Sequence, residues 1–229
     1  MKKIESIIIF FLISFSLRGQ NDTLSMLGEF NVLSVYSGVE VNIIKGVENK
    51  IVFNSENDLD NTTFGYKIKD KVLKLRVGID KNLSLGNISV TLFYKDDLDE
   101  IKLFQASKAK LIDTLIQTNV KIKVQEGSLF EGNLNTDKST LEVFSGGTAN
   151  ISGVTSVLEI KTSTGGICLA ENFIANQSNV KASIGSIVYV NSSLIMDVRS
   201  TTGSIIRVYG NPEKLIGKTA LGGKIKSIE

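Results

Sequence analysis

The feature of this sequence that most restricts its fold is a phrase that keeps returning. "VKIKVQEGSLFEGNL" begins at Val120, "LEVFSGGTANISG" at Leu141, "LEIKTSTGGICLAEN" at Leu158, "VKASIGSIVYVNSS" at Val180 and "MDVRSTTGSIIRVYG" at Met196. Each opens apolar–polar–apolar, passes a polar residue or two and a glycine, and closes on a second short apolar piece. The glycines Gly127, Gly147, Gly166, Gly185, Gly203 and Gly223 are 20, 19, 19, 18 and 20 residues apart. A glycine-free version, "IKLFQASKAKLID" from Ile101, puts Ser107 one step before Gly127. A period near 19 with two short strands per unit is too short for a propeller blade and lacks a leucine-rich consensus. It suits one coil of a parallel β-helix, in which successive coils stack about 4.8 Å apart and pair backbone to backbone.

The alternation then assigns faces. Val120 and Ile122, Leu141 and Val143, Leu158 and Ile160, and Met196 and Val198 are predicted to stack inward, with Lys121, Glu142, Glu159 and Lys161 in solvent. Ile160 is expected between Val143 and Ala182 of the neighbouring coils. The recurrent glycines are expected at a corner, because glycine takes positive φ without a Cβ clash. Asn133, Asn172 and Asn191 each follow their coil's glycine by six residues. They read either as a stacked ladder at a second corner or as ordinary loop asparagines.

Residues 27–99 are less regular. "GVEVNIIKG", "KIVFNSE", "GYKIKDKVLKLRVG" and "NISVTLFYKDD" read as strands, and "YKIKDKVLKLRV" as a hairpin turning near Asp70. This section is predicted to cap the regular coils of 100–227, since exposed solenoid ends need capping. No run of helical period is long enough to form a helix there. Ahead of it, Lys2 and Lys3 followed by an apolar run from Ile7 to Phe15 form the pattern of a secretory signal peptide over 1–19. The run is too short for an ordinary membrane span, although a permanent anchor helix is the alternative. Removal near Gly19 leaves 20–229 as a single domain.

Composition removes several kinds of chemistry. The 229 residues include no His and no Trp, and Cys168 is the only cysteine. The commonest metal ligand and acid–base catalyst is therefore missing, and no intramolecular disulfide can form. Cys168, in an apolar strand with no partner to lower its pKa, reads as an inert packed thiol. Residues 1–19 carry Lys2, Lys3 and Arg18 against Glu5, a net of +2, equal to the +2 of the whole chain. The remainder is near neutral, so bulk charge gives no reason to expect nucleic acid or anionic membrane as a partner. The acidic groupings at 57–60 and 95–100 lie outside the regular coils. Glu142 and Glu159 read as neighbours on adjacent coils, either a carboxylate pair or, beside Lys121 and Lys161, a charge ladder. No Gly-Gly-x-Gly-x-Asp calcium repeat occurs, and no aromatic platform for sugar stacking stands out.

The section from "FNVLSVYSGVEVNIIKG" to "KDKVLKLRV", the bridge "DDLDEIKLFQASKAKL", the Ser/Thr-Gly coils and the ending "VYGNPEKLIGKTALGGKI" together resemble the putative auto-transporter adhesin, head GIN domain family, over about residues 27–227. Tyr209, Gly210, Asn211 and Pro212, followed by Gly222 and Gly223, carry the resemblance most specifically; Pro212 is the only proline. Departures are the Gly-Gly or Gly-Ser corners and the glycine-free corner at Ser107. The resemblance implies an all-β, single-stranded right-handed parallel β-helix in a secreted or cell-surface protein of Bacteroidetes-type bacteria. It implies an adhesive role and transfers no catalytic, cofactor or metal residues.

The expected function is thus a non-enzymatic binding module that is periplasmic, outer-surface or extracellular and meets an unknown protein or glycan. The alternatives are a structural component of the cell envelope and a polysaccharide-acting enzyme. The latter chemistry is known on β-helices but needs clustered carboxylates.

Overall fold

A computed structural model describes residues 23–54, 64–77 and 88–228, so the expected leader at 1–19 and the acidic grouping at 57–60 lie outside the described residues. The architecture is a β-solenoid of about seven turns with coils about 19 residues apart. No helix occurs among the described residues, and hence none long and apolar enough to cross a membrane.

The regular coils run through β10 (Leu115–Val124), β11 (Leu129–Phe144), β12 (Thr148–Ser163), β13 (Ile167–Ala182), β14 (Ile187–Thr201), β15 (Ile205–Tyr209), β16 (Lys214–Ala220) and β17 (Lys224–Ser227). Every contact between successive coils is parallel, and it is in register along the two main faces. Each coil has one face that leads into the glycine corner, which we call face A, and one that leads out of it, face B. A short third side closes the turn. The third side also absorbs irregularity: register shifts fall between Asn150 and Ser152, and between Ala170 and Gln177.

The inward assignment holds. Val120, Ile122, Leu141, Val143, Leu158, Ile160, Met196 and Val198 are all buried, whereas Lys161 is exposed. The neighbours of Ile160 differ from expectation. Ile160 stacks between Leu141 and Val180 in the column Ile122–Leu141–Ile160–Val180–Val198. Val143 and Ala182 belong to the next column, with Thr162 between them. A slip of two residues keeps every side chain on its own face, so an alternating pattern cannot detect it.

The corner also needs a correction. It consists of two consecutive left-handed residues, such as Ser145–Gly146, Thr164–Gly165 and Thr202–Gly203, the second with φ between 65° and 77° in the regular coils. Gly127, Gly185 and Gly203 occupy that second position as expected, but in the Gly-Gly coils it belongs to Gly146, Gly165 and Gly222. Gly147, Gly166 and Gly223 are the next residue. A Cβ there would lie 2.6, 2.2 and 2.2 Å from the carbonyl oxygens of Val124, Val143 and Ser200. These glycines are required by close approach of the preceding coil. At the same position other coils carry buried serines, Ser107, Ser128, Ser186 and Ser204. Ser204 accepts the Thr201 N–H at 3.0 Å and donates to the Ala182 carbonyl at 2.9 Å. A hydroxyl bonded to the preceding coil thus replaces direct backbone contact.

The N-terminal end comprises β1 (Thr23–Met26), β2 (Val32–Val35), β3 (Glu40–Lys45), β4 (Lys50–Asn54), β5 (Phe64–Lys69), β6 (Val72–Val77), β7 (Ser89–Tyr94), β8 (Glu100–Leu103) and β9 (Lys108–Leu111). Its spatial order is not its chain order. β2 and β3 form a coil sandwiched between β8–β9 below and β6–β7 above. Antiparallel strands finish the stack: β5 on β6, β4 on β7, and β1 on β4. The β5–β6 hairpin turns through Asp70 (φ 52°) and Lys71 (φ 59°), as expected. Both left-handed residues suit the type I′ turn that matches strand twist.

Candidate binding groove

Stacking converts positions one coil apart into columns along the solenoid, and the columns make the surface. The middle outward column of face A reads Lys123, Glu142, Lys161, Lys181, Arg199, Lys218. The adjacent column reads Glu100, Lys121, Thr140, Glu159, Asn179, Asp197. Glu142 and Glu159 therefore do not share a column, which corrects the expected pairing.

The two halves of the face differ in charge balance. Towards the N-terminal end, Lys121 bridges Glu100 at 3.6 Å and Glu142 at 3.2 Å, Lys102 meets Glu100 at 2.7 Å, and Lys161 lies 3.8 Å from Glu142. Burial alone would lower the Lys121 ammonium, but its hydrogen bond and charge pairing with Glu142, with Glu100 adding, raise it instead. Glu159 is held by Lys138 at 2.8 Å. Such pairs contribute about 0.2–1 kcal/mol each, and they consume charge. Among the described residues, no carboxylate lies within 4 Å of Lys181, Arg199 or Lys218. Asp197, two residues before Arg199 on the same face, is the nearest acid in the chain order of that half.

Beside the cations runs a row of hydroxyls. Phe144 is in register with Ser163, the Ser183 hydroxyl donates to that of Ser163 at 3.0 Å, and Thr201 follows on the next coil, its hydroxyl donating to the Ala182 carbonyl at 3.4 Å. Between the rows lies an open groove of about 370 Å³, lined by Phe144, Lys161, Ser163, Lys181, Ser183, Arg199 and Thr201 among others. Its floor is the sheet and one end is an aromatic ring. The exposure of its walls follows from their position just before the left-handed corner, where the chain bends away.

Face B is different. Leu129, Thr148, Ile167, Ile187 and Ile205 form one outward column. Next to it, Leu169, Tyr189 and Arg207 align. The Arg207 guanidinium lies 4.9 Å above the Tyr189 ring and donates to its hydroxyl at 2.7 Å, and the Tyr209 ring is 5.8 Å from Tyr189. Tyr189, Tyr209 and Arg207 thus form a small aromatic and cationic cluster on this face. The signal for it was present as Tyr189 and Tyr209 near one coil period apart.

Of the asparagines, Asn133 and Asn172 share a column with Ser152 between them, and Asn133 donates to the Ser152 hydroxyl at 3.0 Å. Asn191 is displaced by the register shift, pairs with Ile174, and donates to the Glu171 carbonyl at 2.9 Å. Cys168 sits in the inward column Phe130–Ala149–Cys168–Val188–Ile206 and is fully buried. Burial, with the Glu171 charge adding, pushes its thiol up to about 12. It is therefore protonated and inert at ordinary pH. Among the described residues, no group of three or more metal-ligating side chains occurs.

A long parallel solenoid with columnar side faces defines a class of proteins that present repetitive surface rather than an enclosed pocket. Residues 29–212 match the family described as putative auto-transporter adhesin, head GIN domain, and the chain belongs to that family. No curated protein matches the chain. Similar solved structures include a putative adhesin from Bacteroides fragilis, with a TM-score of 0.82, 16% identity, and 90% of this chain and 96% of that one covered. A putative adhesin from Parabacteroides distasonis has a TM-score of 0.69 and 15% identity over 90% and 96% of the two chains. A putative lipid binding protein from the same species has a TM-score of 0.64 and 12% identity over 92% and 98%. At these identities the likeness is one of fold.

Proposed function

We propose that this chain is an exported, non-enzymatic binding module. Residues 1–19 act as a removable leader, 20–229 fold as one unit, and the side of the solenoid meets an external partner at the cell surface. Membership of an adhesin family supports the coarse role. The observation that carries the finer one is the face A groove, which runs along the stacking axis with one cation and one hydroxyl contributed by each successive coil. Such a surface offers the same contacts repeatedly to an extended partner, so modest individual contacts combine by multivalency. The non-enzymatic reading is supported by the fate of the coil carboxylates. Glu142 and Glu159 occupy separate columns and are each bound to lysine. A second reading, an assembly component of the envelope, is favoured by the aliphatic column of face B, which suits burial against another protein.

The test is expression of the full chain in a Bacteroidetes host. Export predicts a mature mass beginning near Gln20, and labelled mature protein should bind intact cells or extracellular matrix saturably. Retention in the cytoplasm from Met1, or binding that never saturates, overturns the proposal.

A further inference from the structure

We propose that the C-terminal half of the face A groove, together with the coil beyond it, is a binding site for a linear anionic polysaccharide, held by Lys181 and Arg199 in the groove and by Lys218 one coil further on. This rests on the binding-module reading above and names the chemistry of its ligand. Three observations carry it. First, the three cations stand on consecutive coils in one register, Lys181 opposite Arg199 and Arg199 opposite Lys218. Coils about 4.8 Å apart spread them over about 10 Å, the scale of a short oligosaccharide. Second, they are exposed and lack an acid within 4 Å, while Lys102, Lys121, Lys138 and Lys161 of the preceding coils each have Glu100, Glu142 or Glu159 within 4 Å. Three consecutive coils of one column thus present an exposed cation with no acid in contact. Third, Ser183 and Thr201 supply hydroxyls beside Lys181 and Arg199, and the same hydroxyl row continues through Ser163 towards the Phe144 ring at the far end of the groove.

The same observations discriminate among polyanions. An acidic peptide binding as an extended strand draws its affinity from free backbone groups at a sheet edge. On face A the backbone is already paired coil to coil, so only side chains are on offer. A nucleic-acid duplex carries its phosphates on a strand that winds around an axis with a rise of about 3.4 Å per phosphate, so it curves away from a straight row of rungs about 4.8 Å apart. A glycan with a carboxylate or sulfate on successive sugars presents both the charge and the hydroxyl-rich edge that the two rows match. Asp197 is the one acid two residues from Arg199 on this face, and it opposes such a ligand.

The experiment is isothermal titration of the exported protein with polygalacturonate and heparin, alongside neutral dextran, poly-glutamate and a single-stranded oligodeoxynucleotide. The expected result is binding to one or both acidic glycans in preference to the other three. Raising salt from 50 to 200 mM should weaken it about tenfold or more, as expected when several counterions are released. The triple variant Lys181→Gln, Arg199→Gln, Lys218→Gln should weaken it at least tenfold with an unchanged melting temperature, because all three side chains are in solvent. Asp197→Asn should strengthen it two- to threefold. Equal binding of dextran, tighter binding of poly-glutamate or the oligonucleotide, or wild-type affinity in the triple variant would each overturn the assignment. Saturable cell binding that survives in the triple variant would leave the binding module standing and remove this site. Acidic-glycan binding without any cell-surface binding would do the reverse.

Discussion

Gly165 and Gly166 are adjacent, both invite substitution by alanine, and the structure predicts unequal costs for different reasons. Gly165 has φ +71° and nothing within 4 Å of an added Cβ. Its penalty is conformational, about 1–2 kcal/mol for an L-residue in the left-handed region. Gly166 meets the Val143 carbonyl oxygen at 2.2 Å, which is 0.8 Å inside the 3.0 Å that real Cβ atoms respect. That carbonyl belongs to a strand locked between Val124 on one coil and Thr162 on the next. Displacing it strains two interfaces, so the cost should approach the upper end of the 1–3 kcal/mol typical of overpacking. For a domain of this size, 1 kcal/mol moves Tm by about 2–4 °C. Gly166→Ala should therefore lower Tm by roughly 6–12 °C, and Gly165→Ala by the smaller amount of roughly 2–8 °C. Asparagine separates the two causes. It tolerates left-handed φ, so Gly165→Asn should recover most of the loss, whereas Gly166→Asn should be at least as damaging as Gly166→Ala. Urea midpoints followed by far-ultraviolet circular dichroism provide the measurement. The counter-argument is concrete: Ser186 and Ser204 occupy the position of Gly166 on other coils. If Gly166→Ala is no worse than Gly165→Ala, each coil adjusts freely to a Cβ there, and close approach is not what selects glycine.

Ile160→Asp should unfold or aggregate the protein, because it buries an unpaired charge between Leu141 and Val180 at a cost of several kcal/mol. Lys161→Asp, exposed and one residue on, should change stability by less than about 0.5 kcal/mol; the reverse order in urea midpoints would mean that the faces are misassigned. Ile184 is a β-branched residue at φ 48° and half exposed. Ile184→Asn should thus raise stability by about 1 kcal/mol, and a lower Tm for the variant would contradict this. Cys168 should resist iodoacetamide at pH 8 until the chain is unfolded. Its folded pKa is raised from 9.0 to about 12, as is that of Tyr94 from 10.0, burial being the first cause of each. Both groups prefer their protonated forms when folded, so stability should be complete below pH 9 and fall as pH rises towards 12. A Cys168→Val variant that loses none of this alkaline sensitivity would remove the thiol from the account. Chelator and reductant should leave Tm unchanged, and a fall of several degrees with EDTA would reveal a metal.

The alternation of Val120 with Ile122, or Leu158 with Ile160, is local, and so is the recurrence of a corner residue near every nineteenth position. Either can be read along the chain, and together they determine a stacked-coil core and its buried side. The pattern repeats every two residues, however, so it is blind to a shift of two. Ile160 was assigned the right face and the wrong neighbours for that reason. The true step of the column through it, 19, 19, 20, 18 and 19 residues from Ile122 to Gly217, depends on register shifts on the third side that carry no sequence mark. Glycine is equally ambiguous: Gly165 and Gly166 are identical letters, and only the approach of Val143 distinguishes backbone freedom from lack of space. The placement of β6 and β7 outside β2 and β3 is a pairing between distant segments, invisible to any local signal. The groove is the extreme case. Lys181, Arg199 and Lys218 are ordinary outward lysines and arginine when read singly, and Glu142 and Glu159 look like neighbours. A column exists only once coils are stacked, and a step of 18 against 20 residues decides whether a cation meets a carboxylate or stands free. Charge segregation on this surface was therefore a decision of tertiary register, because electrostatic pairing depends on distances of a few ångströms that the chain acquires only on folding.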